Sequence, residues 1–268
     1  MQSKLAARLA TAAIAIPALV WVIGWGGSRI FSWLVFAVTT IALLEYYGMA
    51  FPARRKEQAV GVVSGLLLAS AILIQDSAGV APWLAGLSVL LFSVYLFFSD
   101  SLEERYRHLA WTVVGTLYIG YLVPHAALLS RAPDGARWIF FVLIVVMAGD
   151  TAAYFVGTSL GKNKLYPEIS PGKTVEGAIG STAGSLVAGF FCGIWFLPSH
   201  SWAETLALSL VLSILGQVGD LFESWIKRVF AVKDSSNILP GHGGLLDRMD
   251  SLIFPLVFVA YYLRIVHP

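Results

Sequence analysis

The sequence predicts an all-α, polytopic integral membrane protein with about nine transmembrane helices and a cytoplasmic N-terminus. Three observations predict it. Hydrophobic residues fill 57% of the 268 positions and charged residues only 13%, about half the ~25% charge of a soluble domain. The apolar residues come in blocks of about 20, long enough to cross a hydrocarbon core about 30 Å thick. Inside the blocks, polar and apolar residues do not alternate as they would in the strands of a membrane barrel.

Nine blocks meet this description, near 9–25, 30–49, 59–75, 80–98, 109–129, 138–157, 177–197, 204–230 and 249–266. Polar breaks such as 52–57, 100–108 and 162–173 separate them. The first block follows Lys4 and Arg8 and so has the outline of a cleaved signal peptide. Its length and the eight blocks behind it favour an uncleaved helix. Basic residues set the orientation, because cytoplasmic loops are enriched in Lys and Arg. With nine spans, 14 of the 18 fall on the side of the N-terminus and of the 2–3, 4–5, 6–7 and 8–9 loops. Arg29, Arg131, Arg137 and Arg264 fall on the other side. This segregation places the N-terminus in the cytoplasm and the C-terminus outside.

Two functional classes are disfavoured at once. A net charge of +2 is too small to argue for nucleic acid. Cys192 is the only cysteine, so no intrachain disulfide can form. Among the histidines, His108, His125, His200 and His267 have no ligand-spaced partner, so a zinc site is not expected.

Two long cytoplasmic loops, 161–177 and 227–250, hold the inventory of a phosphate and metal site: glycine pairs, lysine, aspartate and Ser/Thr. Glycine allows backbone N–H groups to approach an anion, and successive N–H groups form an anion-binding nest. Arg54, Arg55 and Lys56, by contrast, read as topology signals or contacts to anionic headgroups. Asp150 in span six and Asp220 and Glu223 in span eight are ionisable groups inside spans, which are costly and usually functional. Ser209, Ser213, Gln217, Asp220, Ser224 and Lys227 recur at spacings of 4, 4, 3, 4 and 3, which is one helical face. Asp247 and Asp250 enter span nine at a depth similar to that of Asp220. Carboxylates from two segments beside basic residues suggest a cation held between protein and phosphate, and all-oxygen ligands suit Mg²⁺. Asp220 has a simpler alternative, an ion pair with Lys227 or Arg228. Asp150 is equally a wet-site residue, with Thr151, Tyr154 and Thr158 on its face, or a hydrogen-bonding group between helices. His242 either donates to phosphate or locks the turn of glycines around it.

These residues carry a resemblance. Ser224, Ile226, Lys227 and Arg228, then Lys233-Asp234, then Pro240, His242, Gly243 and Gly244, then Asp247, Arg248 and Asp250 span 27 residues. This pattern resembles the signature of bacterial phosphatidate cytidylyltransferases. Ser170, Pro171, Lys173, Thr174, Glu176 and Gly177 resemble a second stretch typical of that family. Ser236 stands where many members have glycine, a mild departure.

The resemblance implies the reaction of CTP with phosphatidic acid to give CDP-diacylglycerol and pyrophosphate, with a divalent metal held by Asp220 and Asp247. It implies a catalytic group of Asp220, Lys227, Arg228, Lys233, Asp234, Asp247 and Asp250. Asp150, Ser170, Lys173, Thr174, Glu176, Ser224, His242, Gly243, Gly244 and Arg248 are the expected substrate-binding residues. Within these sets, Lys173, Lys227, Arg228 and Lys233 are expected at CTP or lipid phosphates. Asp234 and Asp250 are expected to orient them or to hold a second cation. The chemistry is consistent: a lipid phosphate whose second ionisation lies near pH ~6 needs no strong general base. Charge repulsion and leaving-group charge form the barrier, and metal with Lys/Arg answers both.

Residues 138–268 are thus the expected catalytic membrane region, and 1–137 the scaffold, with a potential homodimer contact. The expected location is the bacterial cytoplasmic membrane, with the bilayer as partner and the site facing inward. Among rival readings, a CDP-alcohol phosphotransferase fails, because the sequence Asp134-Gly135-Ala136-Arg137 is a compressed version of its motif on the outer side. A polyprenol kinase is the nearest enzyme alternative. A transporter is the alternative from another class, but it would centre its polar residues at the midplane with repeated halves.

Overall fold

The fold is described from a computed structural model, over residues 13, 15–75, 79–98, 100–238 and 243–266. Lys4, Arg8, His242 and His267 lie outside these residues. Helix occupies each of the nine predicted blocks. The helices are α1 (Ala15–Gly24), α2 (Gly27–Ala50), α3 (Arg55–Gln75), α4 (Ala81–Leu96), α5 (Leu102–Gly115), α6 (His125–Arg131), α7 (Gly135–Leu160), α8 (Val175–Phe196), α9 (Trp202–Val229) and α10 (Asp250–Val266). A π-helical turn, Thr116–Tyr121, carries α5 on toward α6. Among the described residues, six stretches are long and apolar enough to cross a membrane: α2, α3, Leu102–Arg131, α7, α8 and α9. The chain is therefore an all-α polytopic membrane protein in its helices, with one addition that the sequence did not announce. The loop before α8 folds into an antiparallel hairpin of β1 (Lys164–Tyr166) and β2 (Ser170–Thr174).

The chain forms two compact units. One is Met1–Leu128 with Asp234–Leu246; the other is Leu129–Lys233 with Asp247–Pro268. In the first, tyrosine hydroxyls tie helices together. Tyr46 Oη donates to the Trp111 carbonyl at 3.0 Å and Tyr47 Oη to the Thr112 carbonyl at 2.7 Å. Tyr95 Oη bonds Thr112 Oγ1 at 2.6 Å, bringing in α4. Buried hydroxyls need such partners, because an unmatched polar group in an apolar medium costs several kcal/mol, roughly 2–7. Leu68, Ile72, Val80, Leu87, Leu91 and Tyr95 form the apolar packing between α3 and α4.

In the second unit, small residues let backbones approach. A side chain at Gly184 would lie 2.5 Å from Ala152 Cβ and 3.0 Å from the Ala148 carbonyl. Ser185 Oγ donates to the Val145 carbonyl at 3.0 Å, pinning α8 to α7. A side chain at Gly216 would lie 3.2 Å from the Ser251 carbonyl, so α9 and α10 also pack closely. Lipid offers no hydrophobic drive between helices, so close packing and interhelical hydrogen bonds hold them together.

Local signals fix where the helices begin. Ser201 caps α9 by accepting from the Glu204 N–H at 3.2 Å, the start of a Ser-x-x-Glu capping box. Thr174 caps α8 by accepting from the Gly177 N–H at 3.1 Å. At its other end α9 finishes with Lys227 and Arg228, cations where the helix dipole is negative.

Candidate active site

The second unit gathers its polar side chains where α7, the hairpin, α8, α9 and the start of α10 meet. The hairpin is built first. Glu176, in the first turn of α8, accepts from the Lys162 N–H at 3.1 Å and from Asn163 Nδ2 at 2.8 Å. The Val175 N–H donates to the Asn163 carbonyl at 2.9 Å. These bonds close the base of the loop, and the register Lys164↔Thr174, Tyr166↔Ser170 fixes its strands. Lys173, on β2, thereby reaches α9: its Nζ lies 2.7 Å from Asp220 Oδ2.

A cavity of about 330 Å³ opens at this pair, lined among others by Asp150, Lys173, Thr174, Ser181, Gln217 and Asp220. That volume lies at the lower end of small-ligand sites, about 300–1,000 Å³. The predicted polar face of α9 is turned toward α8. Ser213 Oγ bonds Thr182 Oγ1 at 3.3 Å, and Gln217 Nε2 donates to the Ala178 carbonyl at 3.4 Å. Ser224 Oγ donates to Asp220 Oδ1 at 3.4 Å.

A second cluster stands on Lys227. Its ammonium meets Glu223 Oε2 at 2.5 Å and Asp247 Oδ1 at 2.7 Å. Glu223 is fully buried, Asp247 9% exposed and Lys227 14% exposed. The pairing alternative considered for Asp220 thus resolves differently from either expected partner: Asp220 pairs with Lys173, and Lys227 takes Glu223 and Asp247. Asp150 stands at the cavity and at a helix contact together. It lines the cavity, and it accepts from Ser251 Oγ of α10 at 3.1 Å. Asp250, the first residue of α10, interacts electrostatically with Asp150, Asp220 and Lys227. Five carboxyl side chains, Asp150, Asp220, Glu223, Asp247 and Asp250, therefore share this region with the ammonium groups of Lys173 and Lys227, and oxygen ligands of this kind suit a hard cation.

The other expected residues are distributed as follows. Arg228 is exposed, and its Nε donates to the Ile169 carbonyl at 3.1 Å, holding the hairpin turn. Ser170 begins β2, and Thr174 both caps α8 and lines the cavity. Lys233 and Arg248 are exposed residues of the second unit. Asp234, exposed, and Gly243 and Gly244 belong to the first unit. Gly243 has φ +77°, a left-handed conformation that glycine adopts without penalty. His242 is outside the described residues.

Sequence reasoning assigned no role to Glu223, although it noted the residue inside a span. It did not single out Glu45 at all, yet an acidic residue inside the second block carries the same signal. It also gave His108 no ligand-spaced partner, and here the structure corrects it. In the first unit, Glu57, Asp100 and His108 bring ligand atoms within 4.8 Å of one another, a grouping able to hold a metal ion. The Arg54 guanidinium already serves that grouping, at 3.2 Å from Glu57 and 2.9 Å from Asp100.

Comparison with known proteins adds to this geometry. A family model described as Cytidylyltransferase family matches residues 6–266. The phosphatidate cytidylyltransferase of Bacillus subtilis (strain 168) is 38% identical over 248 residues, 89% of this chain and 90% of that protein. The phosphatidate cytidylyltransferase of Staphylococcus haemolyticus (strain JCSC1435) is 34% identical over 263 residues, 93% of this chain and 95% of its own. That of Brucella suis biovar 1 is 44% identical over 144 residues, 53% of each chain.

Proposed function

The chain belongs to the cytidylyltransferase family, and we propose that it transfers CMP from CTP to phosphatidic acid, releasing pyrophosphate and leaving CDP-diacylglycerol in the bilayer. The observation that carries this reading is similarity along nearly the whole chain to proteins of that name, on a chain whose polar cluster suits phosphate chemistry. A phosphate oxygen of the lipid attacks the α-phosphorus of CTP, and the bond from that phosphorus to the oxygen bridging it to the β-phosphorus breaks. Both reactants are anions, so the protein's task is to offset charge and to hold them in line.

Lys173, in the cavity wall, binds triphosphate oxygens and exchanges its Asp220 partner for them. Asp220 and Asp247 would hold Mg²⁺, with Asp250 at the start of α10 nearby, because carboxylate oxygens are the ligands a hard cation takes. Mg²⁺ bound there supplies neutralisation of phosphate and leaving-group charge. Lys227 holds Asp247 and the buried Glu223 in place through its ammonium. Asp150, bonded to Ser251, sets the α7–α10 wall beside the cavity.

The topology that accompanies this reading has nine spans, a cytoplasmic N-terminus, and catalysis in residues 138–268 with loops 161–177 and 227–250 on the cytoplasmic face. Helix at all nine apolar blocks and the bias of 14 of 18 basic residues support it. The location is then the cytoplasmic membrane.

The test is purified protein in detergent with Mg²⁺, CTP and phosphatidic acid, followed by lipid extraction. CDP-diacylglycerol that requires all three components is the expected product. Label carried across sealed vesicles with no new lipid would instead identify a transporter.

A further inference from the structure

Glu45 lies near the C-terminal end of α2, deep in an apolar helix, and is only 4% exposed. A carboxylate so buried is tolerated only when its lone pairs are matched. The structure matches them from two nearby stretches, 235–236 and 245–246. Oε1 accepts from Ser236 Oγ at 2.6 Å and from the Leu245 N–H at 2.8 Å. Oε2 accepts from Ser235 Oγ at 3.2 Å and from the Leu246 N–H at 2.8 Å. Two donors per oxygen saturate a carboxylate, which offers about four acceptor positions. The cradle is tight. A side chain on Gly244 would clash with Ser235 Oγ and lie 2.9 Å from both Glu45 oxygens. Ser236 Oγ also accepts from the Ile238 N–H at 3.1 Å, so the bonds reach along the loop.

Leu246 immediately precedes Asp247 in the chain. We infer that Glu45 is a positioning residue: it is a clamp that ties Ser235 and Ser236 to Leu245 and Leu246 and so fixes the backbone that leads into Asp247. Its catalytic consequence rests on the reading of Asp247 as a metal-holding carboxylate; the clamp itself does not. The four donors also explain why a carboxylate is needed. Glutamine has the same shape, but its amide nitrogen points hydrogens at a backbone N–H that can only donate, and hydrogen bonds to a charged acceptor are the stronger kind.

The experiment compares full-length wild type, Glu45→Gln and the milder Ser236→Ala, each in lipid nanodiscs. It measures hydrogen exchange over 243–247 together with kcat, KM for CTP and the Mg²⁺ concentration for half activity. In Glu45→Gln the Leu245 and Leu246 amides should exchange at least about tenfold faster, the equivalent of one or two lost charge-assisted hydrogen bonds. The rate kcat should fall and the Mg²⁺ requirement rise. KM for CTP should stay within about twofold, because Lys173 lies on a separate loop. Ser236→Ala should move the same quantities in the same direction by less, and it decides the matter if Glu45→Gln fails to fold. Unchanged exchange in the variants overturns the clamp. Faster exchange with unchanged kcat and Mg²⁺ response overturns the positioning role. A wild type that makes no CDP-lipid refutes the proposed reaction instead, and the exchange data still judge the clamp.

Discussion

Lys173 and Lys227 are both lysines bonded to aspartate, yet their losses should look different. Lys227 stands between a fully buried Glu223 and a nearly buried Asp247. Removing it strands buried charge, which costs roughly 3–5 kcal/mol. Lys227→Ala should therefore lower the thermal unfolding midpoint markedly as well as abolish activity. Lys173 is 26% exposed on a hairpin and its partner Asp220 33% exposed, so Lys173→Ala should fold normally. Its effect should be a KM for CTP raised about tenfold, the worth of one phosphate contact. Normal CTP dependence in that variant would reduce the hairpin to a connector. Asp220→Asn and Asp247→Asn keep size but lose the charge that would hold a hard cation in the proposed reaction. Each should cut turnover by about a hundredfold or more, since metal stabilisation of developing charge is worth several kcal/mol, and each should raise the Mg²⁺ requirement. Wild-type turnover and Mg²⁺ response in a folded Asp220→Asn protein would make that residue structural.

At the scale of elements, the corners outside the spans answer to pH. The Arg54 guanidinium, in the corner before α3, holds the Asp100 carboxyl below its usual range by hydrogen bonding. A carboxylate whose pKa folding depresses contributes stability that is complete above its unfolded value, about 4, and is lost as pH falls through the folded value. The unfolding midpoint of wild type should drop as pH falls from about 5 to 3, and Asp100→Asn should flatten part of that drop. The effect is modest because the pair is partly solvated. An identical profile in both proteins would remove Asp100 from the acid response. Topology is tested at the same scale. With Cys192→Ser as background, a cysteine replacing exposed Asn237 should react with an impermeant reagent only from the cytoplasmic side. One replacing exposed Ser199 should react only from outside. Ser236 is avoided because it bonds Glu45. Both cysteines reacting from one side would contradict the nine-span arrangement.

For the molecule as a whole, what was legible in the sequence follows from what the bilayer forces on it. Helical blocks were readable because lipid leaves an isolated segment no other way to satisfy its backbone. α9, predicted at 204–230, runs Trp202–Val229 for this reason, and Ser213 and Gln217 of its polar stripe bond to α8, a partner the spacing alone did not name. The partners of charged residues were not readable, because they come from chain distances that periodicity does not encode. Asp220 is 47 positions from Lys173, and Glu45 is 200 from Leu245. The β1–β2 hairpin was missed because its strands are 3 and 5 residues long and contain Pro171, below any alternation signal. The central claim joins these scales: a membrane-embedded cluster of carboxylates and lysines moves a nucleotide monophosphate onto a lipid. It is tested most directly by following two labels, with CTP labelled at the α- or the γ-phosphate, phosphatidic acid and Mg²⁺ supplied to the purified protein. The account predicts α-label in the extracted lipid and γ-label in pyrophosphate, in equal amounts. Label from the γ-position in the lipid would show phosphoryl transfer by a kinase and contradict it.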